Sequence, residues 1–478
     1  MATDLHRDSD TIAAIATPYG PGGVGIVKIS GPRSRYIFNA IFKPAKEIDQ
    51  PKSHHLYYGW VKDPTSGQLV DEVLCTLMAG PHSYTREDVL EIHCHSGPAL
   101  LTKILQLVLA LGARPAMPGE FTKRAFLNGR IDLAQAEAIL ALTTTKGDAA
   151  AAAAASQLNG VLSQEIRSVK EKLLEALAAV EVAIDYPEEE EEILSEAHIL
   201  EKLYTHALPL LEDVTSAYDR SRIWREGATV LIVGRPNVGK SSLLNALICR
   251  DRAIVSPIPG TTRDVIEAEV SIEGIAVKLI DTAGIRHSPD PIEALGIEKV
   301  GAMAERASLA LWVLDASDLS GEDDEAVLSE IGPIAKDETL LVILNKIDLV
   351  ESTKLDQLYD VVRGQTSSRP GLKAPCCIPV SAKMGHGLTE LTKAIAQRLL
   401  SSDQGEPPEI MPSLRQKVCA QKAQKALNQA ISNLKASASP EIVAIDLRDA
   451  ISCLDEITGE SASEDLLDQI FSNFCLGK

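Results

Sequence analysis

Aromatic side chains are scarce in this chain: 4% of 478 residues, with three Trp, nine Tyr and six Phe, against 45% hydrophobic residues in all. That balance excludes an aromatic-rich core and predicts a soluble, globular protein with aliphatic packing. No apolar run approaches the roughly 18–20 residues that span a bilayer, so no membrane partner is expected. The stretch Met1 to Asp10 carries three Asp and no apolar signal core, which argues against export and for a cytoplasmic protein. The eight Cys are scattered, without paired zinc-type spacing, and fit a reducing compartment. Positive charge is also in deficit. A net charge of -20 argues against a broad, non-specific nucleic-acid surface, though not against a local basic patch. The acidic run Glu188 to Glu192 reads as a solvated segment after Pro187. His93-Cys94-His95 invites a metal reading, but in a strand Cys94 faces away from both histidines. The length suggests two to four domains.

What is present is a nucleotide site. Gly234-Arg235-Pro236-Asn237-Val238-Gly239-Lys240-Ser241 follows the apolar run Thr229 to Val233 and feeds a helix over Ser242 to Ile248. Such a loop aims backbone N–H groups and a helix N-terminus at phosphate oxygens; Lys240 adds charge on the outer phosphates and Ser241 supplies a hydroxyl for Mg²⁺. This motif alone leaves ATP and GTP open. Asn345-Lys346-Ile347-Asp348, after the strand Leu340 to Leu344, decides for GTP, because the Asp348 carboxylate can accept two hydrogen bonds from the guanine edge. Ser381-Ala382-Lys383, after Cys377 to Val380, matches the loop that backs the same base.

Asp281-Thr282-Ala283-Gly284 ends the strand Ile275 to Ile280. Asp281 would hold Mg²⁺ through water and the Gly284 N–H would sense the γ-phosphate. In Ras-like proteins a Gln follows and orients the attacking water. Here Ile285 stands in that place, so another group is required. Glu293 is the first choice, and Asp290 is also within reach. Arg263 is a finger candidate on spacing alone. Asn237 offers a carbonyl oxygen for a monovalent cation, and Pro257 to Thr262 could close over it, which predicts potassium-dependent hydrolysis.

Residues 1 to about 122 read as mixed α/β, with strands at Thr11–Ala16, Val24–Ser30, Val73–Met78 and Val89–His93 and a helix over Ala99–Leu111. Helical periodicity then runs through Phe126–Thr144, the Ala149–Ala155 block and Leu162–Val182. The alanine block reads as a close helix–helix contact. A second helical stretch covers Ser413 to about Ile470. Either the nucleotide domain is inserted into one helical domain, or two small helical domains flank it; the first arrangement is the more economical.

Four separated pieces make the chain resemble the MnmE (TrmE) family of tRNA-modification GTPases. They are Gly22-Gly23-Val24-Gly25-Ile26; Gly119-Glu120-Phe121 with Arg124-Ala125-Phe126-Leu127-Asn128 and Asp132-Leu133-Ala134-Gln135-Ala136-Glu137; the nucleotide motifs with Gly260-Thr261-Thr262-Arg263-Asp264; and the terminal Phe474-Cys475-Leu476-Gly477-Lys478. The resemblance implies an α/β and α multidomain protein. An N-terminal α/β folate-binding and dimerisation domain would cover 1–122. A helical-bundle domain would comprise 123–220 and 403–478, with a Ras-like P-loop GTPase domain inserted at 221–402. Guanine-nucleotide contacts would come from Asn237, Val238, Gly239, Lys240, Ser241, Ser242, Ser256, Gly260, Thr261, Thr262, Asp281 to Gly284, Asn345, Lys346, Asp348 and Ser381 to Lys383. The family's water-orienting glutamate falls on Glu293, its potassium ligands on Asn237, Ser256, Ile258 and Thr261, and its Mg²⁺ ligands on Ser241 and Thr262. Contacts to 5-formyl-tetrahydrofolate fall on Lys28, Glu91, Arg130 and Lys478. Cys475 would lie by the folate, as a nucleophile or as a structural residue. The implied function is modification of the wobble uridine of tRNA at carbon 5, carboxymethylaminomethyl type, by a homodimer working with the flavoprotein MnmG. No flavin-binding glycine fingerprint occurs in the chain, which fits a flavin on a partner.

Two other classes compete. A ribosome-assembly switch shares the nucleotide motifs but usually adds a basic RNA-binding module, which this chain lacks. A membrane-remodelling GTPase needs an amphipathic basic helix or an anchor, also lacking.

Overall fold

The computed structural model describes residues 10–186, 196–250, 266–281, 307–319, 338–351, 354–366, 375–400 and 409–478, with Val327, Lys336 and Leu372. Chain contacts divide it into two compact units. One comprises 1–140, 157–212 and 415–478; the other comprises 141–156 and 213–414.

In the first unit a seven-stranded sheet has the order β3-β4-β5-β6-β2-β1-β7. Its strands are β1 (Thr11–Ile15), β2 (Gly25–Ser30), β3 (Phe42–Pro44), β4 (Leu56–Lys62), β5 (Leu69–Met78), β6 (Val89–Cys94) and β7 (Ala113–Pro115). All neighbours are antiparallel except β1 and β7. One face buries Val27, Ile29, Cys75, Leu90 and Ile92 with Ile37, Phe38, Leu101 and Ile104 from the helices Ser34–Ile41 and Pro98–Ala110. β4 escapes a period-two reading because its outward residues Leu56, Tyr58 and Trp60 are apolar too.

The helical part of this unit joins two stretches that lie far apart in the chain. The helix Val161–Asp185 packs along Pro440–Thr458. Arg415 makes a bidentate pair with Glu137 (Nε to Oε1 and Nη2 to Oε2, both 2.9 Å) and also donates to the carbonyls of Glu456 and Ile457. The single helix expected over Phe126–Thr144 is two, Glu120–Leu127 and Leu133–Thr144. Gly129, at φ 68, turns the chain between them. Asp132 and Gln135 then cap the second by reciprocal bonds of 2.9 and 3.0 Å, a pairing that outweighs the helical propensity of the flanking residues.

The second unit contains a six-stranded sheet, order β13-β12-β11-β8-β10-β9. The strands are β8 (Ala228–Val233), β9 (Ile266–Ile272), β10 (Ile275–Asp281), β11 (Leu309–Asp315), β12 (Leu340–Asn345) and β13 (Cys376–Pro379). Only the β9–β10 pair is antiparallel. β12 is buried along its whole length, and β8 and β11 nearly so, as a parallel sheet covered on both faces requires. The alanine block forms the helix Asp148–Leu158. Its Ala149 packs against the hydrophobic core of this sheet, and Gly147 sits so near the Gly274 carbonyl that a Cβ there would be 2.5 Å from it. Residues 141–156, expected with the helical part, therefore group with the nucleotide sheet.

Candidate functional site

Parallel pairing of β8 with β10 and with β11, and of β11 with β12, places the carboxyl ends of these strands together. In open α/β sheets ligands bind outside those ends, at the point where strand order reverses. Here the loop Gly234–Gly239 leaves β8 and enters the helix Lys240–Arg250. Asn237 takes a left-handed conformation at φ 63. Lys240 is buried, its ammonium donating to the carbonyls of Gly234 (2.8 Å) and Arg235 (2.7 Å). The Ser241 hydroxyl donates to Asp281 Oδ2 at 2.8 Å, joining the loop to the end of β10. Ser242 is exposed in the first turn of the helix.

Asn345, 2% exposed, links the phosphate loop to the base loops. Its Nδ2 donates to Val238 O at 2.8 Å and its Oδ1 accepts from Ala382 N at 3.0 Å. Only glycine fits opposite it: a Cβ on Gly239, at φ 100, would lie 2.3 Å from Asn345 Nδ2. Lys346, left-handed at φ 64, reaches back to Asn237 O (2.8 Å) and pairs with Asp315 Oδ2 (2.6 Å). Burial alone would raise the Asp315 carboxyl, but the bonds from Lys346 and Ser317 outweigh it and hold the group below its usual range. Asp315 itself escaped the sequence reading; its position at the end of a buried strand, level with Asn345, was the available signal. The buried Ser381 hydroxyl donates to Asp348 Oδ1 at 2.6 Å, orienting a carboxylate that is itself exposed. Lys383 is exposed beside it in sequence. Ser256, Ile258, Gly260, Thr261, Thr262, Thr282, Ala283, Gly284 and Glu293, with Arg263 and Asp290, lie outside the described residues.

A second constellation lies in the first unit. Lys28 on β2 stands opposite Glu91 on β6. Its ammonium is 4.1 Å from the centre of the Tyr84 ring and 5.0 Å from that of Phe121. Arg130 places its guanidinium 4.7 Å from the same Tyr84 ring and donates to Tyr84 O at 3.1 Å. Burial, reinforced by the neighbouring charges of Lys478 and Arg130 against the pull of Glu91, lowers Lys28 to about 8. The His93 hydrogen bond (3.2 Å), with Lys28, holds the Glu91 carboxyl below its usual range. His93 is thereby engaged with Glu91, His95 with Asp71 (2.8 Å), and the Cys94 thiol with the Gly25 carbonyl. Tyr84 and Phe121 were missed by sequence reasoning, since nothing local marks a ring as a platform for distant cations.

The chain end is docked. Phe121 N donates to Lys478 O (3.2 Å) and Gly119 N to Cys475 O (3.5 Å). Gly119 is at φ 68, with the Phe471 carbonyl only 2.5 Å from where a Cβ would stand. Phe474 is buried while the Cys475 side chain is exposed. The four residues Lys28, Glu91, Arg130 and Lys478 thus share one electrostatic neighbourhood.

Outward along the same sheet face, Leu74 and Tyr58 are 40% and 47% exposed and Leu56 is 59% exposed. Among the described residues no helix is long and apolar enough to cross a membrane.

Comparison with known proteins adds two family-model matches and two similar relatives. A family model described as the MnmE helical domain matches residues 133–475, and one described as the GTP-binding protein TrmE N-terminus matches residues 11–130. The tRNA modification GTPase MnmE of Acetivibrio thermocellus is 43% identical over 470 residues, 98% of this chain and 99% of the relative. The protein of the same name from Carboxydothermus hydrogenoformans is 44% identical over 473 residues, again 98% and 99%.

Proposed function

The chain belongs to the MnmE family of tRNA modification GTPases, and from that premise we propose that it hydrolyses GTP to drive modification of the wobble uridine of tRNA at carbon 5. The carboxymethylaminomethyl-type substituent would be built with an MnmG-type flavoprotein and a folate one-carbon donor, by a homodimer in the cytoplasm. One observation carries the nucleotide half: Asn345 bonds the phosphate loop and the Ser381–Lys383 loop at once, so phosphate and base elements form one connected site.

The residues fit their ligands chemically. Ser241 and Asp281 present two hard oxygens 2.8 Å apart, the donor type that Mg²⁺ takes alongside phosphate oxygens. When bound, that ion neutralises charge developing on the phosphates. Lys240 supplies a buried positive charge to the outer phosphates, and Asp348, aligned by Ser381, accepts from guanine. Asn237, with Ser256, Ile258 and Thr261, would hold potassium, and Thr262 would complete the Mg²⁺ set. Glu293 orients the attacking water, a task Ile285 has no polar group to perform. Thr282, Ala283 and Gly284 would carry the γ-phosphate contact.

For the folate, Arg130 and Lys478 offer cations to carboxylates, Lys28 a donor and Glu91 an acceptor for the aminopyrimidine edge, and the half-buried Tyr84 a flat apolar surface. Cys475 is the candidate nucleophile at that site. The exposed Leu56, Tyr58 and Leu74 beside it favour a second copy of the chain covering this face. The domain limits proposed are 1–122, 123–220, 221–402 and 403–478, with 141–156 packing alongside the nucleotide sheet.

The test is nucleoside mass spectrometry of tRNA from a bacterial strain lacking its own family member and complemented with this gene. Recovery of the modified wobble uridine supports the proposal. Its absence, with the protein folded, GTP-active and unable to bind folate, returns the chain to the assembly-switch class.

A further inference from the structure

A cavity of about 480 Å³ opens in the first unit where three helix ends meet: the starts of Leu133–Thr144 and Val161–Asp185 and the end of Pro440–Thr458. Arg130, which already stacks on Tyr84, lines it together with Gln135, Ser163, Gln164 and Arg167. The helix Val161–Asp185 starts at Gly160 with no side-chain cap, and the first amides of a helix have no intrahelical acceptor. Those amides carry partial positive charge. Independently, Ser163 is 1% exposed, lines the cavity, and has no hydrogen-bond partner for its hydroxyl.

The two carboxylates that line the cavity, Asp132 and Glu460, are each paired with a cation. Asp132 accepts from Arg167 (2.8 Å) and caps Gln135 N (2.9 Å). Glu460 shares Lys170 with Asp455, each carboxylate 2.5 Å from the ammonium. With Gln135 engaged at both ends by Asp132 N and Leu158 O, what remains for a ligand is the positive charge of Arg130, an uncapped helix start, a buried hydroxyl and the carboxamides of Asn159 and Gln164. That set suits carboxylates joined by amide groups.

We infer that this cavity receives the glutamyl tail of the folate whose ring is held at Lys28, Glu91 and Tyr84, with Arg130 as the residue common to both. The inference rests on the folate reading above and extends it to substrate form: the full-length protein should prefer polyglutamylated folate to the monoglutamate.

The experiment measures dissociation constants of 5-formyl-tetrahydrofolate as mono- and triglutamate by calorimetry. The triglutamate should bind about tenfold tighter, the worth of one charge-assisted hydrogen bond. Ser163→Ala should remove much of that preference without changing monoglutamate binding. Gln164→Glu adds a carboxylate to the first turn, where it suits the helix but repels an anion, so it should abolish the preference while thermal stability is kept or raised. Equal affinity of the wild type for both forms overturns the tail site and leaves the folate reading standing. Failure of either form to bind overturns both.

Discussion

Replacing Asp348 by Asn should turn base preference from guanine to xanthine. In the wild type the Ser381 hydroxyl donates to Asp348 Oδ1 at 2.6 Å, so the carboxylate is held in one orientation. The same hydroxyl would hold the carbonyl of an Asn there and leave its NH₂ to face the base. Guanine would then meet a donor where it needs an acceptor for its 2-amino group; xanthine, with a carbonyl at that carbon, would match. Two charge-assisted hydrogen bonds at about 1.5–3 kcal/mol each sum to ~3–6 kcal/mol. The GTP dissociation constant should therefore rise about 10²- to 10⁴-fold. Asp348 is exposed, so the fold should survive, which a melting curve would verify. The assay is competition of unlabelled GTP and XTP against a fluorescent nucleotide, for both proteins. Unchanged GTP affinity in the variant, or no gain for XTP, would refute the assignment of Asp348 as the base-reading residue.

Asn345→Ala should leave Val238 O and Ala382 N without a partner, at about 1–3 kcal/mol each; GTP affinity should drop tenfold or more, read by the same competition assay. Because Lys28 titrates at about 8, binding of an anionic folate should be full below that pH and weaken as pH rises through it, with the profile moving to higher pH in Lys28→Arg. The sign for stability follows from an unfolded lysine near 10.4: between about 8 and 10.4 the unfolded chain binds more protons, so this group makes stability rise with pH. Glu293→Ala should lower GTP turnover roughly 10²- to 10⁴-fold with nucleotide affinity kept, and exchange of potassium for sodium should slow the wild type; equal turnover in either comparison refutes the role concerned.

The nucleotide site was legible in the chain because its parts are local. A buried parallel strand announces itself as an apolar run, as Leu340 to Leu344 does, and the loop after it carries the chemistry within a few residues. Asn345, Lys346 and Asp348 lie within one short turn after that strand, so their grouping could be read from spacing, whereas their partners Val238, Asp315 and Ser381 could not. Strand β4 was not legible, since its outward Leu56, Tyr58 and Trp60 break the alternation that marks a half-exposed strand. The break between Glu120–Leu127 and Leu133–Thr144 was hidden for a different reason: helix formers lie on both sides, and only the left-handed Gly129 and the Asp132–Gln135 cap interrupt them.

By itself, then, the sequence indicated the fold class, the phosphate loop and the choice of guanine, which rest on interactions between near neighbours or on patterns of burial, and it indicated the family through the resemblance of four separated pieces. Tertiary structure decided what depends on residues far apart in the chain. It set Lys28 and Arg130 over the Tyr84 ring, tied Phe121 N to Lys478 O, and joined Arg415 to Glu137. It also grouped 141–156 with the nucleotide sheet and opened the cavity beneath Ser163. Propensity and spacing carry no information about such pairs; they follow from how apolar faces of separate elements find each other, and the polar groups left facing one another then define the site.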